Sequence, residues 1–143
     1  MTNEHIIARI EQQHPGAIVS NETAHDGILN VETTREQVAD LLQFLRDDED
    51  LNFHFLTSLC GIHYPESAGR ELGVIYHLHN WPQNRRLRLK IFFPIADPNV
   101  PTATTLWPTA NWMERQEYDF FGIGFHGHPD LRRILNVDDM DVF

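Results

Sequence analysis

Two runs, "ELGVIYHLHN" (residues 71–80) and "RLRLKIFF" (residues 86–93), carry the clearest structural signal in this sequence. Both are rich in the aliphatic, β-branched and aromatic residues that favour strands. Apolar residues alternate with polar ones, and the positions expected to point inward are Tyr76, Leu78, Leu87, Leu89 and Ile91. The polar segment "WPQNR" (residues 81–85) separates the runs. The sequence therefore predicts a β-hairpin with one apolar face and one polar face.

The segments before the hairpin predict two helices and two short strands. Residues 3–13 have isoleucines at helical spacing and are followed by His14-Pro15-Gly16, which indicates a short first helix. Two strands follow within residues 18–31, joined by a turn at Asp26-Gly27. A second helix is predicted from a capping box at Thr34 and Gln37, with one apolar face formed by Val38, Leu41, Leu42 and Leu45.

The remaining segments complete a single α+β domain. Residues 51–65 place Leu51, Phe53 and Phe55 on one side, although periodicity does not decide their secondary structure. Residues 94–109 predict a surface loop, and Pro108 suits the first position of a last helix that Gly122 ends. We expect one domain over residues 1–143, with a mostly antiparallel or mixed sheet, flanking helices, and residues 108–143 as a C-terminal helix plus an extended docking segment.

Composition excludes several classes of function. Eleven Lys and Arg against 21 Asp and Glu give a net charge of −10, which opposes general binding to nucleic acid. One cysteine, Cys60, excludes an internal disulfide and cannot hold a metal cluster alone, so we expect a small buried residue. No signal peptide and no apolar stretch of about 20 residues is present, so the chain is cytosolic in character, without a membrane span.

The histidines and acids offer only weak candidates for a catalytic site. His77 and His79 share a face of a predicted strand, and His126 and His128 are also two residues apart, but no zinc motif accompanies them. Glu114 is three residues from Glu117 on one helix face, yet nothing places a substrate between them. A histidine-metal hydrolase and a module that binds a small ligand remain alternatives.

A dense run of charged, aromatic and glycine residues, "ERQEYDFFGIGFHGHPDLRRIL" (residues 114–135), is the candidate for an interface. Arg115 and Asp119 are four residues apart, so they can pair along a helix. Further on, Pro129 precedes Arg132 and Arg133, which are interleaved with aliphatic residues as in buried interface anchors. An ordinary surface helix with solvated arginines is the alternative.

The longer run "NWMERQEYDFFGIGFHGHPDLRRIL" (residues 111–135) resembles the signature of the 30 kDa subunit, also called the C subunit, of NADH:quinone oxidoreductase, respiratory complex I. The segments "FHFLTSLCGIHYP", "VIYHLHN", "RLRLKIFF" and "VPTATTLWPTANW" resemble the preceding segments of that family in order. The resemblance assigns an interface and structural motif to Glu114, Arg115, Asp119, Phe120, Phe121, Gly122, His128, Pro129, Leu131, Arg132 and Arg133.

Two features depart from the family pattern. Gln116 stands where the family usually has a second glutamate, which removes a negative charge. The sequence ends at "NVDDMDVF" (residues 136–143), where the family usually continues into a tail that contains proline, arginine and lysine. Contacts that depend on that tail are therefore not assigned to this chain.

The resemblance implies a non-catalytic subunit of the peripheral arm, on the cytoplasmic side of the bacterial plasma membrane. Such a protein would brace the quinone-site subunit, which is the 49 kDa-like or D subunit, and adjoin subunits that carry clusters. It would bind no cofactor and show no activity alone, while the complex uses FMN, iron–sulfur clusters, NADH and quinone to translocate protons. Membrane-bound hydrogenases and ferredoxin- or plastoquinone-linked complexes contain similar subunits and are the nearest alternative.

Overall fold

The structure, a computed structural model, describes residues 2–128 of the chain. Its helices are α1 (Asn3–Gln13), α2 (Val38–Asp47) and α3 (Ala110–Phe121). Its strands are β1 (Ser20–Thr23), β2 (Leu29–Glu32), β3 (Phe55–His63), β4 (Leu72–Asn80), β5 (Arg85–Phe93), β6 (Asn99–Pro101) and β7 (Gly124–His126). The expected α+β fold is confirmed.

Five strands form one mixed sheet in the order β1-β2-β5-β4-β3. The predicted hairpin is its centre, because β4 pairs antiparallel with β5 along nine residues, from Leu72 opposite Phe93 to Asn80 opposite Arg85. The pair β2 and β5 is parallel, whereas the other neighbours are antiparallel. The chain reverses between β1 and β2 at Gly27, whose φ of 83° confirms the predicted turn.

One face of this sheet is buried against the helices, and we call the opposite face the outer face. The core includes the inward residues of β2, β4 and β5 together with the apolar faces of α1 and α2. The predicted apolar face of α2 is confirmed, since all four of its expected residues are buried. None of the helices within residues 2–128 is long and apolar enough to cross a membrane.

Three predictions within residues 34–60 were wrong, and two of them concern where an element begins. The capping box does not form, because residues 35–37 make a separate turn and α2 begins only at Val38; the Thr34 hydroxyl instead donates to the Gln37 side chain (3.2 Å). Phe55 is exposed rather than aligned with Leu51 and Phe53, because β3 begins at Phe55 and its alternation turns the next residue inward.

Cys60 is the third, since it was predicted to be buried and it is exposed. Its neighbour Leu59 points into the core, so strand alternation turns Cys60 to the outer face. Its Sγ lies 3.2 Å from the hydroxyl of Ser58, which shares that face.

A second, two-stranded sheet was not predicted. The strands β6 and β7 pair in parallel, with Val100 opposite Phe125. Strand β6 precedes α3 in the predicted loop, and β7 directly follows α3. Their pairing therefore joins the segment before the helix to the segment after it.

Candidate docking site

Helix α3 packs against β3, which is an edge strand of the main sheet, and it also contacts β7. Its N-cap is Thr109, whose side chain makes no capping hydrogen bond. The prediction that Pro108 is the first helical residue was wrong, because the helix begins at Ala110. The predicted stop at Gly122 is confirmed, since this residue is left-handed with φ of 71°.

Four charged side chains of α3 point into the protein, and we call them the charged inner face. Glu114 and Asp119 are 0% exposed, and Arg115 and Glu117 are each 8% exposed. Burial of a charged group is costly unless hydrogen bonds or counter-charges compensate for the lost water. These four residues therefore fix the helix in one position and are not available for contact with another protein.

Glu114 connects α3 to the segment that follows β6. Its carboxylate accepts hydrogen bonds from the Thr102 hydroxyl (2.5 Å) and from the Ala103 backbone N–H (2.6 Å). Burial nevertheless dominates and raises the pKa of Glu114 to about 7. Glu114 also helps to raise the pKa of the buried Tyr76, whose hydroxyl has no hydrogen-bond partner within residues 2–128.

Glu117 connects α3 to the edge of the main sheet. Burial raises the pKa of Glu117, and the backbone amide of Gly61 in β3 partly offsets this by stabilising the carboxylate. A Cβ atom at Gly61 would lie 2.7 Å from Oε2 of Glu117 and 2.7 Å from the ring of Phe121. Glycine at this position thus permits the close approach of α3 to β3.

The exposed side of α3 consists of Trp112, Gln116 and Phe120, and we call it the aromatic outer stripe. These residues are spaced four apart, which aligns them along the helix. Trp112 is 63% exposed and Phe120 is 47% exposed. The guanidinium of Arg115 lies 4.6 Å from the centre of the Trp112 ring, so this buried cation holds the exposed indole in place.

An apolar cleft of about 410 Å³ adjoins the stripe at Phe120. Its lining residues are His63, Leu72, Ile95, Pro98, Phe120, Phe121 and Gly122. Ile95 is also largely exposed, so the cleft continues the apolar surface of the stripe. The two features together form a largely apolar surface without acidic residues, on a chain with a net charge of −10. Exposed apolar surface of this kind is typical of protein–protein contact sites.

The predicted interface residues divide into four groups. Glu114, Arg115 and Asp119 are buried within the domain, whereas Phe120 and Phe121 line the cleft beside Gly122. Nε2 of His128 donates to the backbone carbonyl of Asn111 (3.1 Å), which ties the chain after β7 to the first turn of α3. The other four predicted residues lie outside the described part of the chain: Pro129, Leu131, Arg132 and Arg133.

Sequence reasoning placed Glu114 and Glu117 on one helix face but did not predict that this face is buried, and it did not single out Thr102 or Gly61. A usable signal was present, because Ala110, Glu114 and Glu117 follow the i, i+4, i+7 spacing of one helix face. Polar residues on such a face are usually assigned to solvent. Here the spacing marks the buried side.

The candidate metal ligands do not form a cluster in the described region. Within residues 2–128, no group of three or more His, Cys, Asp and Glu side chains is arranged to hold a metal ion. His77 and His79 lie on β4, and His126 lies on β7 in the other sheet.

We expect the purified chain to contain no stoichiometric zinc or iron. A single thiol and separated imidazole pairs do not supply the three or four ligands that a stable site requires. Elemental analysis after dialysis against a chelator measures this directly. About one retained metal ion per chain would contradict the prediction.

Comparison with known proteins points in the same direction as the motif. Residues 31–143 match the family described as respiratory-chain NADH dehydrogenase, 30 Kd subunit. The chain is 40% identical to the NADH-quinone oxidoreductase C subunit of Roseiflexus castenholzii, over 99% of this chain and 80% of that protein. It is 47% identical to the C subunit of the same enzyme from Nocardioides sp. (strain ATCC BAA-499 / JS614), over 80% of this chain and 46% of that protein. The chain thus spans about half the length of several curated relatives.

Solved structures share the fold. A trypsin-resistant fragment of Nqo5 superposes with a TM-score of 0.76 at 30% identity, covering 92% of this chain and 100% of the fragment. A chain of an archaeal membrane-bound sulfane sulfur reductase superposes with a TM-score of 0.80 at 23% identity, covering 95% of this chain and 77% of the reductase chain. By family match and by sequence identity, the chain belongs to the family of the respiratory-chain NADH dehydrogenase 30 kDa subunit.

Proposed function

We propose that this chain is the 30 kDa-type subunit of a proton-translocating NADH:quinone oxidoreductase and acts there as a non-catalytic docking protein. It would brace the quinone-site subunit (the 49 kDa-like, or D, subunit) in the peripheral arm, beside subunits that carry clusters. Family membership and the names of the relatives support this role. Electron transfer and quinone binding both depend on rigid placement of neighbouring subunits, which is what such a protein would contribute.

The observation that carries the proposal is the inverted arrangement of α3. A helix at the surface usually turns its charged residues to water and its large apolar residues to the core. Here Glu114 and Asp119 are fully buried, while Trp112 and Phe120 point outward. The guanidinium of Arg115 stacks on the indole of Trp112 and restricts its motion. Less side-chain entropy is therefore lost when a partner covers Trp112. A rigid, neutral, aromatic surface of this kind suits permanent contact with another subunit.

The cofactors of the complex would lie in other subunits. FMN and iron–sulfur clusters would carry electrons from NADH to quinone, and a cluster normally requires several thiolate ligands. This chain has a single cysteine, which is exposed on the outer face. The protein itself would therefore be peripheral to the chemistry. As a subunit of the peripheral arm, it would lie on the cytoplasmic side of the bacterial plasma membrane.

The nearest alternative is the equivalent subunit of a related membrane complex, such as a membrane-bound hydrogenase or a ferredoxin- or plastoquinone-linked enzyme. The likeness to the sulfane sulfur reductase chain, at 23% identity, supports a shared fold only. Identities of 40–47% to proteins named as NADH-quinone oxidoreductase subunits favour the first proposal. A histidine-metal hydrolase gains no support from residues 2–128, where no metal-binding cluster is found.

Affinity purification of the tagged full-length protein from native membranes tests the proposal. The expected result is co-elution of the quinone-site subunit and the cluster-bearing subunits, identified by mass spectrometry. Co-elution of hydrogenase subunits would support the alternative complex. Recovery of the tagged protein alone from gently solubilised membranes would contradict both.

Replacing Arg132 or Arg133 by alanine is expected to lower the yield of that complex. We propose that both arginines meet acidic groups or carbonyl oxygens of the partner. Loss of one member of a buried, hydrogen-bonded pair costs about 2 to 5 kcal/mol of association, whereas a solvated arginine contributes about 0 to 1 kcal/mol.

Arg85→Ala is the matched control for these two variants. Arg85 begins β5 and makes no ion pair within residues 2–128, so the control should assemble like the wild type. Equal yields from all three variants would exclude the interface role. A parallel fall in melting temperature of the isolated chain would assign Arg132 and Arg133 to the fold instead.

A further inference from the structure

The outer face of the main sheet carries a strip of basic side chains on its two central strands. The outward residues of β5 include Arg86, Arg88 and Lys90, which are exposed or half-buried. The outward residues of the paired strand β4 include His77 and His79. No acidic residue occurs in either strand, although acids outnumber bases almost two to one in the whole chain (21 against 11). The strip is thus a local reversal of the charge of the protein.

Two cations of the strip make no ion pair with the acids around them, although Glu22 and Glu32 line the same cleft as Lys90. Asp26 pairs with Arg88 at 2.8 Å, and both carboxylate oxygens of Glu32 accept hydrogen bonds from Arg70 at 2.9 and 3.1 Å. Lys90 lies opposite Glu32 in the register of β2 and β5, but it makes no ion pair with any residue in the range 2–128. Arg86 likewise has no ion-pair partner in this range.

His77 reports the local field, because it lies in the middle of the strip. In the register it faces Arg88 on β5 and Ser58 on β3, with Lys90 close by. Burial holds the pKa of His77 below its ordinary value, and the positive charges of Arg88 and Lys90 lower it further. A carboxylate that settled on this face would act in the opposite direction.

We propose that the outer face binds an acidic polypeptide segment of a neighbouring subunit, whose carboxylates pair with Lys90 and Arg86. This inference rests on the proposed function for the identity of the neighbour, but not for the chemistry of the face. The two cations are four residues apart on one strand, a separation of roughly 13 Å. Acids at a similar separation on the partner would complement them. The face is distinct from the aromatic outer stripe, which is neutral and lies on α3.

A zero-length carbodiimide cross-link tests the contact in the native complex, because Lys90 is the one lysine in the sequence. The reagent activates a carboxylate, and the unprotonated amine of a lysine in direct contact attacks it, forming an amide and releasing a urea. Mass spectrometry identifies both residues. We expect an isopeptide bond between Lys90 and an Asp or Glu of another subunit. Lys90→Arg keeps the charge and should remove the cross-link without loss of the complex. An isopeptide confined to Lys90 and Glu32 of the same chain would overturn the inference.

A titration of the isolated full-length protein separates failure of this inference from failure of the proposed function. The probe is a synthetic peptide of eight residues with alternating glutamate and leucine, and the readout is the NMR signal of the His77 ring. Binding should raise the pKa of His77. Lys90→Gln should weaken peptide binding about fivefold, whereas Gln13→Glu on the exposed surface of α1 makes the same change in net charge and should have no effect.

Two further probes identify the class of partner. Octathymidylate and vesicles that contain phosphatidylglycerol present phosphates instead of carboxylates. Tighter binding of either one than of the peptide, or no response of His77 to the peptide at any ionic strength, would overturn the inference. These outcomes hold even where the tagged protein co-elutes with no other subunit.

Discussion

Replacement of Trp112 and Phe120 together by glutamine is expected to abolish recovery of the assembled complex while the chain itself stays folded. Both side chains are largely exposed in the isolated domain, at 63% and 47%. A buried aromatic anchor at an interface contributes about 2 kcal/mol or more. The loss of two anchors, roughly 4 kcal/mol, corresponds to a fall in affinity of about a thousandfold. Glutamine preserves helix propensity, so unfolding free energy should change by less than about 1 kcal/mol.

Trp81→Gln is the control for this pair. Trp81 is 59% exposed, close to the value for Trp112, but it lies in the turn between β4 and β5. The complex should form normally with this variant, as measured by co-elution from native membranes. A normal yield from the α3 double variant would remove the aromatic outer stripe from the interface. A large drop in its melting temperature would mean that the stripe supports the fold.

The second prediction concerns stability against pH and depends on Glu114. Burial raises the pKa of Glu114 from 4.5 to about 7 in the folded chain. Between these values the folded state holds a proton that the unfolded state has released, so the folded state is favoured by low pH. The contribution is fully present below about pH 4.5 and is lost as pH rises through 7. Between pH 5 and pH 8, this one group should lower the free energy of unfolding by about 2 to 3 kcal/mol.

Glu114→Gln isolates that contribution from the other titrating groups. The amide oxygen can still accept a hydrogen bond from Thr102 or Ala103, but the side chain no longer titrates. Urea unfolding of both proteins at pH 5 and pH 8 should show the wild type losing about 2 to 3 kcal/mol more than the variant. Identical pH dependence would mean that the Glu114 carboxylate is not destabilised by burial. Glu117 remains in both proteins and therefore cancels from the comparison.

The central hairpin of β4 and β5 could be predicted from the sequence because the alternation of apolar and polar residues in β5 is strict. In β5 the inward residues Leu87, Leu89 and Ile91 are all buried, as predicted, because charged residues separate them. A strand with this pattern has a single orientation that hides its apolar side. Helix α2 followed for the same reason, since its apolar stripe has one period and one possible face.

Prediction failed where the local sequence pattern did not indicate which side chains are buried. Helix α3 was predicted, but the side of it that is buried is the charged one. Burial of these charges depends on hydrogen bonds from the Thr102 hydroxyl and from backbone amides such as that of Gly61. Such partners come from distant parts of the chain and leave no periodic mark. The prediction for Cys60 was wrong for another reason. Its apolar neighbours indicated a core position, whereas strand alternation turns its side chain to the outer face. The strands β6 and β7 have three residues each, too few for any alternation to register.

The position of Glu117 beside the edge of the main sheet also affects how the isolated chain resists aggregation. Strand β3 has nine residues, no proline and no lysine, and an edge strand of that kind is a template on which further strands can polymerise. Because α3 lies along β3 and the Glu117 carboxylate occupies the Gly61 amide, a strand from another molecule would first have to displace the helix. The helix that presents the exposed aromatic surface thus also blocks part of the edge where uncontrolled aggregation would otherwise begin.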